Sequence, residues 1–283
     1  MENERQVLDK DLPELFEYFV GLYGGDRIKR IYGSGKTSIT KHYWYPYINT
    51  YKKWIRHGGH ISEISASKSL LELSLQIKDI MNFENDWNCD QRRDEFLLRL
   101  RDTNRVESLL FELRSGQHFR LQALDAHWVG ISGQVKGPDI EIRVSSDLNI
   151  VVECLFRKPS FQRILSDQKL VDDLLTGLDG KLESSHDWHF PRLVLIKIPE
   201  PIDWRSSWIK AELSRKINSW LSRGRLEGIN GIFLMGQAEL RRFSDPVNSK
   251  QGYIPEQPLF FFKNPNARYP LPTNVGEKVF ISY

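Results

Sequence analysis

The amino-acid sequence predicts an α/β fold, in which a mixed sheet of four or five strands is flanked by helices. The first observation is that the spacing of the apolar residues changes along the chain. Apolar residues follow helical spacing before residue 121, and from residue 139 they alternate or form short apolar runs. The second is the order of the predicted elements, namely helix, hairpin, helix, strand, helix, strand. A chain of 283 residues, 40% of them hydrophobic, has ample material for a buried core.

The first part of the chain predicts helices. Residues 12–23 form a short apolar stretch that Gly24 and Gly25 end, because two glycines do not easily continue a helix. A segment rich in lysine, arginine and aromatic residues follows. Residues 69–81 then carry apolar side chains near helical spacing and predict another helix.

The polar stretch at residues 82–91 is the expected connection between two regions. We predict an N-terminal helical, basic and aromatic region at residues 1–85 and a core domain at residues 92–283. The core domain should open with a long helix to about residue 121, which Gly116 could interrupt. Further helices are predicted at residues 161–178 and 204–221, and strands at residues 139–144, 148–156, 192–198, 229–235 and 258–264.

Charge is distributed unevenly along the chain. The net charge of +3 permits nucleic acid as a partner without requiring it. Residues 1–26 hold two basic and seven acidic residues, a net charge of −5, whereas residues 27–62 hold eight basic residues and no acidic one. This local contrast makes the second segment a candidate for contacting phosphates.

Aromatic residues are interleaved with the cations of this basic segment, and aromatic rings can stack on exposed bases. The candidate nucleic-acid-binding residues are Lys41, Trp44, Lys52, Lys53, Trp54 and Arg56. A structural alternative remains open, because Trp44, Tyr47, Tyr51 and Trp54 have near-helical spacing. In that alternative the rings pack on the core while the lysines stay in water.

Several function classes are excluded or disfavoured. Cys89 and Cys154 are the only cysteines, too few for a disulfide framework or a four-thiolate zinc site. The GSGKTS stretch at residues 33–38 lacks the first glycine of a phosphate-binding loop, since Arg30 takes that place. The acidic N-terminus does not resemble a signal peptide, and no apolar run approaches the ~20 residues that span a bilayer. We therefore expect a cytoplasmic protein without a membrane partner.

Two carboxylates fall on neighbouring predicted strands. Pro138-Asp139 opens the first strand, and Glu153 lies towards the end of the second. Carboxylates placed side by side can hold a divalent cation against a phosphodiester. Structural alternatives exist for both, because Asp139 could simply begin a strand and Glu153 could face a hydrated side of the sheet. In an apolar run, however, a glutamate is costly unless it is paired, hydrogen-bonded or bound to metal.

The region from residue 92 to residue 235 resembles the PD-(D/E)xK, or restriction-endonuclease-like, nuclease superfamily. The resemblance lies in the helix RVESLLFEL at residues 105–113, in Pro138-Asp139, and in the strand VVECLFRK at residues 151–158. It implies that Asp139 and Glu153 bind Mg²⁺ or Mn²⁺ and that the protein hydrolyses phosphodiester bonds of DNA, with RNA less expected. It also implies that a helix glutamate assists, and Glu112 matches the family pattern better than Glu107.

The chain departs from this family pattern at one catalytic position. The family has lysine two residues after the glutamate, and here that position holds Leu155. Lys158 is the expected substitute, with Arg157 and Lys136 as other candidates. The alternative function is a catalytically inactive nuclease-fold module that binds nucleic acid or a protein partner. A homodimer is expected if the protein cuts both strands of duplex DNA.

Overall fold

The computed structural model describes residues 11–33, 42–59, 64–130, 138–156, 190–197, 207–222, 227–236, 239–245, 250–256 and 259–280. These residues divide into two compact units. Unit 1 holds those within Met1–Arg114 and Leu240–Glu256. Unit 2 holds those within Ser115–Ile131, Val135–Glu239 and Gln257–Tyr283. The connection predicted at residues 82–91 lies inside unit 1.

The described part of unit 1 is mainly helical. Leu12–Tyr23 is a helix, as predicted, and Gly24 ends it with a positive φ of 100°, a conformation that favours glycine. The helices in order are α1 Leu12–Tyr23, α2 Gly25–Gly33, α3 Tyr45–Arg56, α4 Ile64–Asn82, α5 Glu84–Trp87 and α6 Arg93–Arg101, followed by α7 Val106–Leu121, which begins in unit 1 and ends in unit 2.

Aromatic packing holds the helices of unit 1 together. The rings of Phe16 and Tyr51 stack with centroids 3.9 Å apart, and those of Phe19 and Trp44 lie 4.6 Å apart. The indole N–H of the buried Trp44 donates to the carbonyl oxygen of Leu100 at 3.1 Å, so its polar atom is satisfied. Trp44, Tyr51 and Trp54 of the basic segment are therefore part of the core of this unit.

The long helix predicted from residue 92 to residue 121 is two helices. The chain leaves α6 at Asp102, whose carboxylate accepts a hydrogen bond from the backbone N–H of Asn104 at 2.9 Å. This local turn competes with the helix, as aspartate side chains often do. Gly116 lies within α7 and does not interrupt it, so the break expected there was wrong.

Unit 2 contains a mixed six-stranded sheet, and the protein is α/β as predicted. Its strands are β1 Asp125–Trp128, β2 Ile140–Ser145, β3 Leu148–Phe156, β4 Arg192–Lys197, β5 Gly231–Met235 and β8 Leu259–Lys263, in the sheet order β1-β2-β3-β4-β5-β8. The β1–β2, β2–β3 and β5–β8 pairs are antiparallel, and the β3–β4 and β4–β5 pairs are parallel. The predicted number of four or five strands was too low, because β1 has only four residues and leaves no clear sequence pattern.

Two further strands, β6 Glu239–Asp245 and β7 Lys250–Glu256, pair in a separate two-stranded sheet. Two more helices are described, α8 Ser207–Ser222 and α9 Thr273–Val279. The helix predicted at residues 161–178 lies outside the described residues. Among the helices that the structure describes, none has the length and apolarity needed to cross a bilayer.

The sheet of unit 2 has two faces, because successive side chains of a strand point to opposite sides. On the Phe233 face, the Phe233 ring packs against Phe119 of α7 at 6.0 Å and against Phe280, just after α9, at 5.5 Å. Gly231 is required here, since a Cβ at that position would lie 2.6 Å from the Phe280 ring. The register places Glu141, Val151, Glu153, Arg192 and Val194 on the opposite face, named here the Glu153 face.

Candidate functional site

Asp139 sits immediately before β2 and binds the next strand through its side chain. β2 begins at Ile140, opposite Val152, so the backbone N–H of Cys154 projects beyond the end of its neighbour. The Asp139 carboxylate accepts a hydrogen bond from that N–H at 2.7 Å, and the Asp139 N–H donates to the Val152 carbonyl at 3.1 Å. Asp139 therefore takes the place of a missing strand partner, and its carboxylate lies beside the residue that follows Glu153.

Glu153 lies in the middle of the sheet and pairs with an arginine on the adjacent strand. Its Oε2 atom is 2.6 Å from Nη2 of Arg192. The Glu153 side chain keeps 21% of its surface exposed, whereas that of Arg192 keeps only 4%. The pairing with a buried guanidinium and the partial exposure of the side chain both lower the cost of a charged glutamate in an apolar strand.

The backbone of Arg192 is fixed where β4 begins. Its N–H donates to the side-chain oxygen of Asn230 at 2.8 Å, and the N–H of Asn230 donates to the Arg192 carbonyl at 2.7 Å. The Asn230 amide in turn donates to the Tyr269 carbonyl at 2.6 Å. The sequence pattern missed Arg192, although a charged residue opening the apolar run LVLI was a usable signal for a buried ion pair.

Position 155 supplies no charge to this site. Leu155 faces the same side of β3 as Glu153, lies opposite Ile196 and is partly exposed. Lys158, the expected substitute, lies outside the described residues, as do Arg157 and Lys136. The cation that the structure places against Glu153 is the guanidinium of Arg192.

Glu112 lies in unit 1 and has a partner there. Its side chain is 3% exposed. The carboxylate accepts two hydrogen bonds from the Arg99 guanidinium, at 2.9 and 2.5 Å, and one from the Ser108 hydroxyl at 3.2 Å. Glu107, the other candidate on this helix, is partly exposed. The difference in burial distinguishes Glu112 from Glu107, which helical periodicity could not do. The buried ion pair gives Glu112 a structural role in its own unit.

The cations and the aromatic rings of the basic segment have different surroundings. Trp44 and Trp54 are 0% and 6% exposed, so neither offers a ring face to a base, and the stacking role predicted for them does not fit. Lys53 and Arg56 are exposed at the end of α3, and Lys52 is partly exposed. Burial, followed by the nearby charge of Arg56, lowers the pKa of Lys52. Lys41 lies outside the described residues.

Another pair of cations lies close together in unit 1. Burial and then the charge of Arg27 lower the pKa of Arg101, whose Nη2 donates to the Leu22 carbonyl at 3.3 Å. Arg27 itself is exposed.

Asp139 and Glu153 carry the kind of side chain that binds a hard divalent cation. Asp139 and Glu153 offer oxygen ligands, which Mg²⁺ and Mn²⁺ prefer over sulfur or nitrogen. Among the described residues, no group of three or more histidine, cysteine, aspartate or glutamate side chains could enclose a metal ion. Mg²⁺ commonly binds through one or two carboxylates together with substrate phosphates and water, so two carboxylates suffice for that mode.

No protein-family model matches the chain, and no characterised protein is significantly similar to it in sequence.

Proposed function

We propose that this protein is a metal-dependent nuclease with a restriction-endonuclease-like core. It hydrolyses phosphodiester bonds of DNA, with RNA as the less favoured substrate. The observation that carries the proposal is the hydrogen bond from Cys154 to Asp139, because it ties one carboxylate to the residue beside the other, Glu153. The strand order supports it as well. An antiparallel hairpin with Asp139 before one strand and Glu153 on the next follows helix α7, as in the family that the sequence resembles.

In this proposal Asp139 and Glu153 hold Mg²⁺ or Mn²⁺ at the end of the β2–β3 pair. The cation supplies charge compensation at the phosphate and lowers the pKa of a bound water. Asp139 is oriented by the backbone of β3, and Glu153 is oriented by Arg192, so neither carboxylate has to be ordered when substrate arrives. Lysine and arginine side chains of α3, namely Lys52, Lys53 and Arg56, contribute to affinity by contacting nucleic-acid phosphates.

The second candidate function is a catalytically inactive module of the same fold that binds nucleic acid or a protein partner. It is favoured by Leu155 at the position of the family lysine and by the protein partners that both carboxylates already have. In this alternative the Glu153–Arg192 pair and the Asp139–Cys154 bond serve the sheet alone.

Plasmid cleavage separates the two candidates. Purified protein with Mg²⁺ or Mn²⁺ should nick or linearise supercoiled plasmid, and Glu153→Gln should abolish this. Glu141→Gln is a matched control, because Glu141 lies on the same face, one strand away, and its carboxylate accepts from the Asn149 amide instead. Binding of labelled duplex DNA without cleavage favours the inactive module. A single cut per strand by a dimer would appear as linear product formed without accumulated nicked circles.

A further inference from the structure

The proposed reaction needs a positive charge near the carboxylates, and Leu155 cannot provide one. We propose that Arg192 is the positioning residue that supplies this positive charge, an inference that rests on the proposed function. It reaches the site from β4, whereas the family lysine belongs to the strand that carries the glutamate. Arg192 holds Oε2 of Glu153 and offsets one of the two negative charges of the Asp139–Glu153 pair.

The register explains how a residue of β4 reaches Glu153. Glu153 lies opposite Val194 in the parallel β3–β4 pair, and Arg192 lies two residues earlier on the same face. Leu155 lies two residues beyond Glu153, also on that face. A long side chain from either position spans the ~6.6 Å that separates alternate residues of a strand, so the two positions flank Glu153 from opposite directions.

Burial and backbone anchoring make the guanidinium a fixed part of the site. The Arg192 side chain is almost fully buried, and two hydrogen bonds with Asn230 fix its backbone. A buried ion pair adds little net stability compared with apolar residues of similar volume, so stability alone does not account for an arginine here. A guanidinium stays protonated at all relevant pH values, so Arg192 orients and compensates charge without transferring protons.

Moving the positive charge within the site tests this role. Arg192→Gln should lower the rate of plasmid cleavage about 100-fold, the usual loss when one preorganised electrostatic group is removed. Arg192→Lys should remain within about 10-fold of the wild type, since it keeps the charge. The double variant Arg192→Gln/Leu155→Lys should regain most of the lost rate, because an ammonium then approaches Glu153 from the other side. Arg143 is an exposed arginine of β2 on the Glu153 face, so the control variant Arg143→Gln should cleave plasmid as fast as the wild type.

Titration calorimetry with Mn²⁺ gives a measurement that does not depend on cleavage. Arg192→Gln should bind Mn²⁺ within about 10-fold of the wild type, because both carboxylates remain and the loss of orientation at Glu153 is offset by the loss of a cation that repels Mn²⁺. A merely structural role would weaken Mn²⁺ binding and cleavage together, and Leu155→Lys would not restore either.

Two results overturn this role of Arg192 while leaving the proposed function intact. The first is a wild-type protein that cuts plasmid and an Arg192→Gln variant that cuts equally fast. The second is an Arg192→Gln/Leu155→Lys variant that binds Mn²⁺ but does not regain cleavage. A wild-type protein that never cuts removes the proposed function, and this role of Arg192 with it.

Discussion

The carboxylate of Asp139 accepts a hydrogen bond from the backbone N–H of Cys154, 15 residues further along the chain, at 2.7 Å. This bond closes the end of the β2–β3 pair, where β2 has no backbone acceptor to offer. In the proposed function this side chain has two separable tasks, because accepting the hydrogen bond requires an oxygen and binding a cation requires a charge. The two tasks can be told apart by substitution.

Asp139→Asn and Asp139→Ala should therefore differ in stability. In the Asp139→Asn variant the side-chain amide oxygen can still accept from Cys154, so we expect a loss below about 1 kcal/mol in the free energy of unfolding. Alanine leaves the N–H without this acceptor and should cost about 1–3 kcal/mol. Urea unfolding followed by circular dichroism measures both. Equal losses for the two variants would mean that the hydrogen bond does not stabilise the sheet.

The buried ion pair between Arg99 and Glu112 predicts a large effect on stability. Glu112→Ala leaves the Arg99 guanidinium buried without its carboxylate, which should cost about 3–5 kcal/mol of unfolding free energy. Glu107→Ala is the matched control on the same helix and should change stability by less than about 1 kcal/mol, since Glu107 is partly exposed.

Replacing both partners of this pair sharpens the test. Arg99→Met with Glu112→Leu should be close to the wild type in stability, because apolar residues of similar volume often replace a buried ion pair without loss. A double variant as unstable as Glu112→Ala would show that unit 1 needs the charges of Arg99 and Glu112 themselves.

Asp79 predicts a pH dependence of stability. Burial raises the pKa of its carboxyl group to about 7, against the opposing effect of Arg114, whose Nε lies 2.8 Å away. Because the folded state holds this proton more tightly than the unfolded state, the contribution of Asp79 to stability is full below about pH 4 and is lost as pH rises towards 7. Urea unfolding at several pH values should show Asp79→Asn gaining on the wild type over that interval. A constant difference between the two proteins would contradict the raised pKa.

The cations of α3 predict a salt-dependent affinity for nucleic acid. Replacing Lys52, Lys53 and Arg56 by alanine should weaken binding of labelled duplex DNA, and it should lower the slope of log K against log salt by about 0.9 for each phosphate that is no longer neutralised. Fluorescence anisotropy across a salt series measures both. Lys29→Ala is the control, because this exposed lysine already pairs with Asp26 at 3.4 Å. An unchanged slope in the triple variant would exclude α3 from the interface.

Long periodic segments were predictable from the sequence. The strand at Leu148–Phe156 has the predicted bounds, and the helix α1 does as well, because apolar spacing and adjacent glycines mark them locally. The four-residue strand β1 and the break at Asp102 were missed, since each depends on partners or turns that a short pattern does not reveal. Helix α9 and the β6–β7 pair carry no strong periodicity either.

The candidate site was predictable only in part. Acidic residues on two neighbouring strands pointed to Asp139 and Glu153, and the structure gives both residues well-defined partners. Arg192 was not predictable from spacing, because 39 residues separate it from Glu153 and only the parallel pairing of β3 with β4 brings them together. Trp44 and Trp54 shared their segment with cations, but helical geometry turned the rings inward and left the cations outside.

The most direct test is a calorimetric titration of the protein with Mn²⁺, because the proposed function requires Asp139 and Glu153 to share a single cation. We expect one Mn²⁺ per chain in the wild type, and weaker binding in Asp139→Asn and in Glu153→Gln. The double variant should lose little more than either single one, since both changes remove the same site. Wild-type protein that binds no Mn²⁺, or variants that bind it as tightly as the wild type, would contradict a shared cation at Asp139 and Glu153.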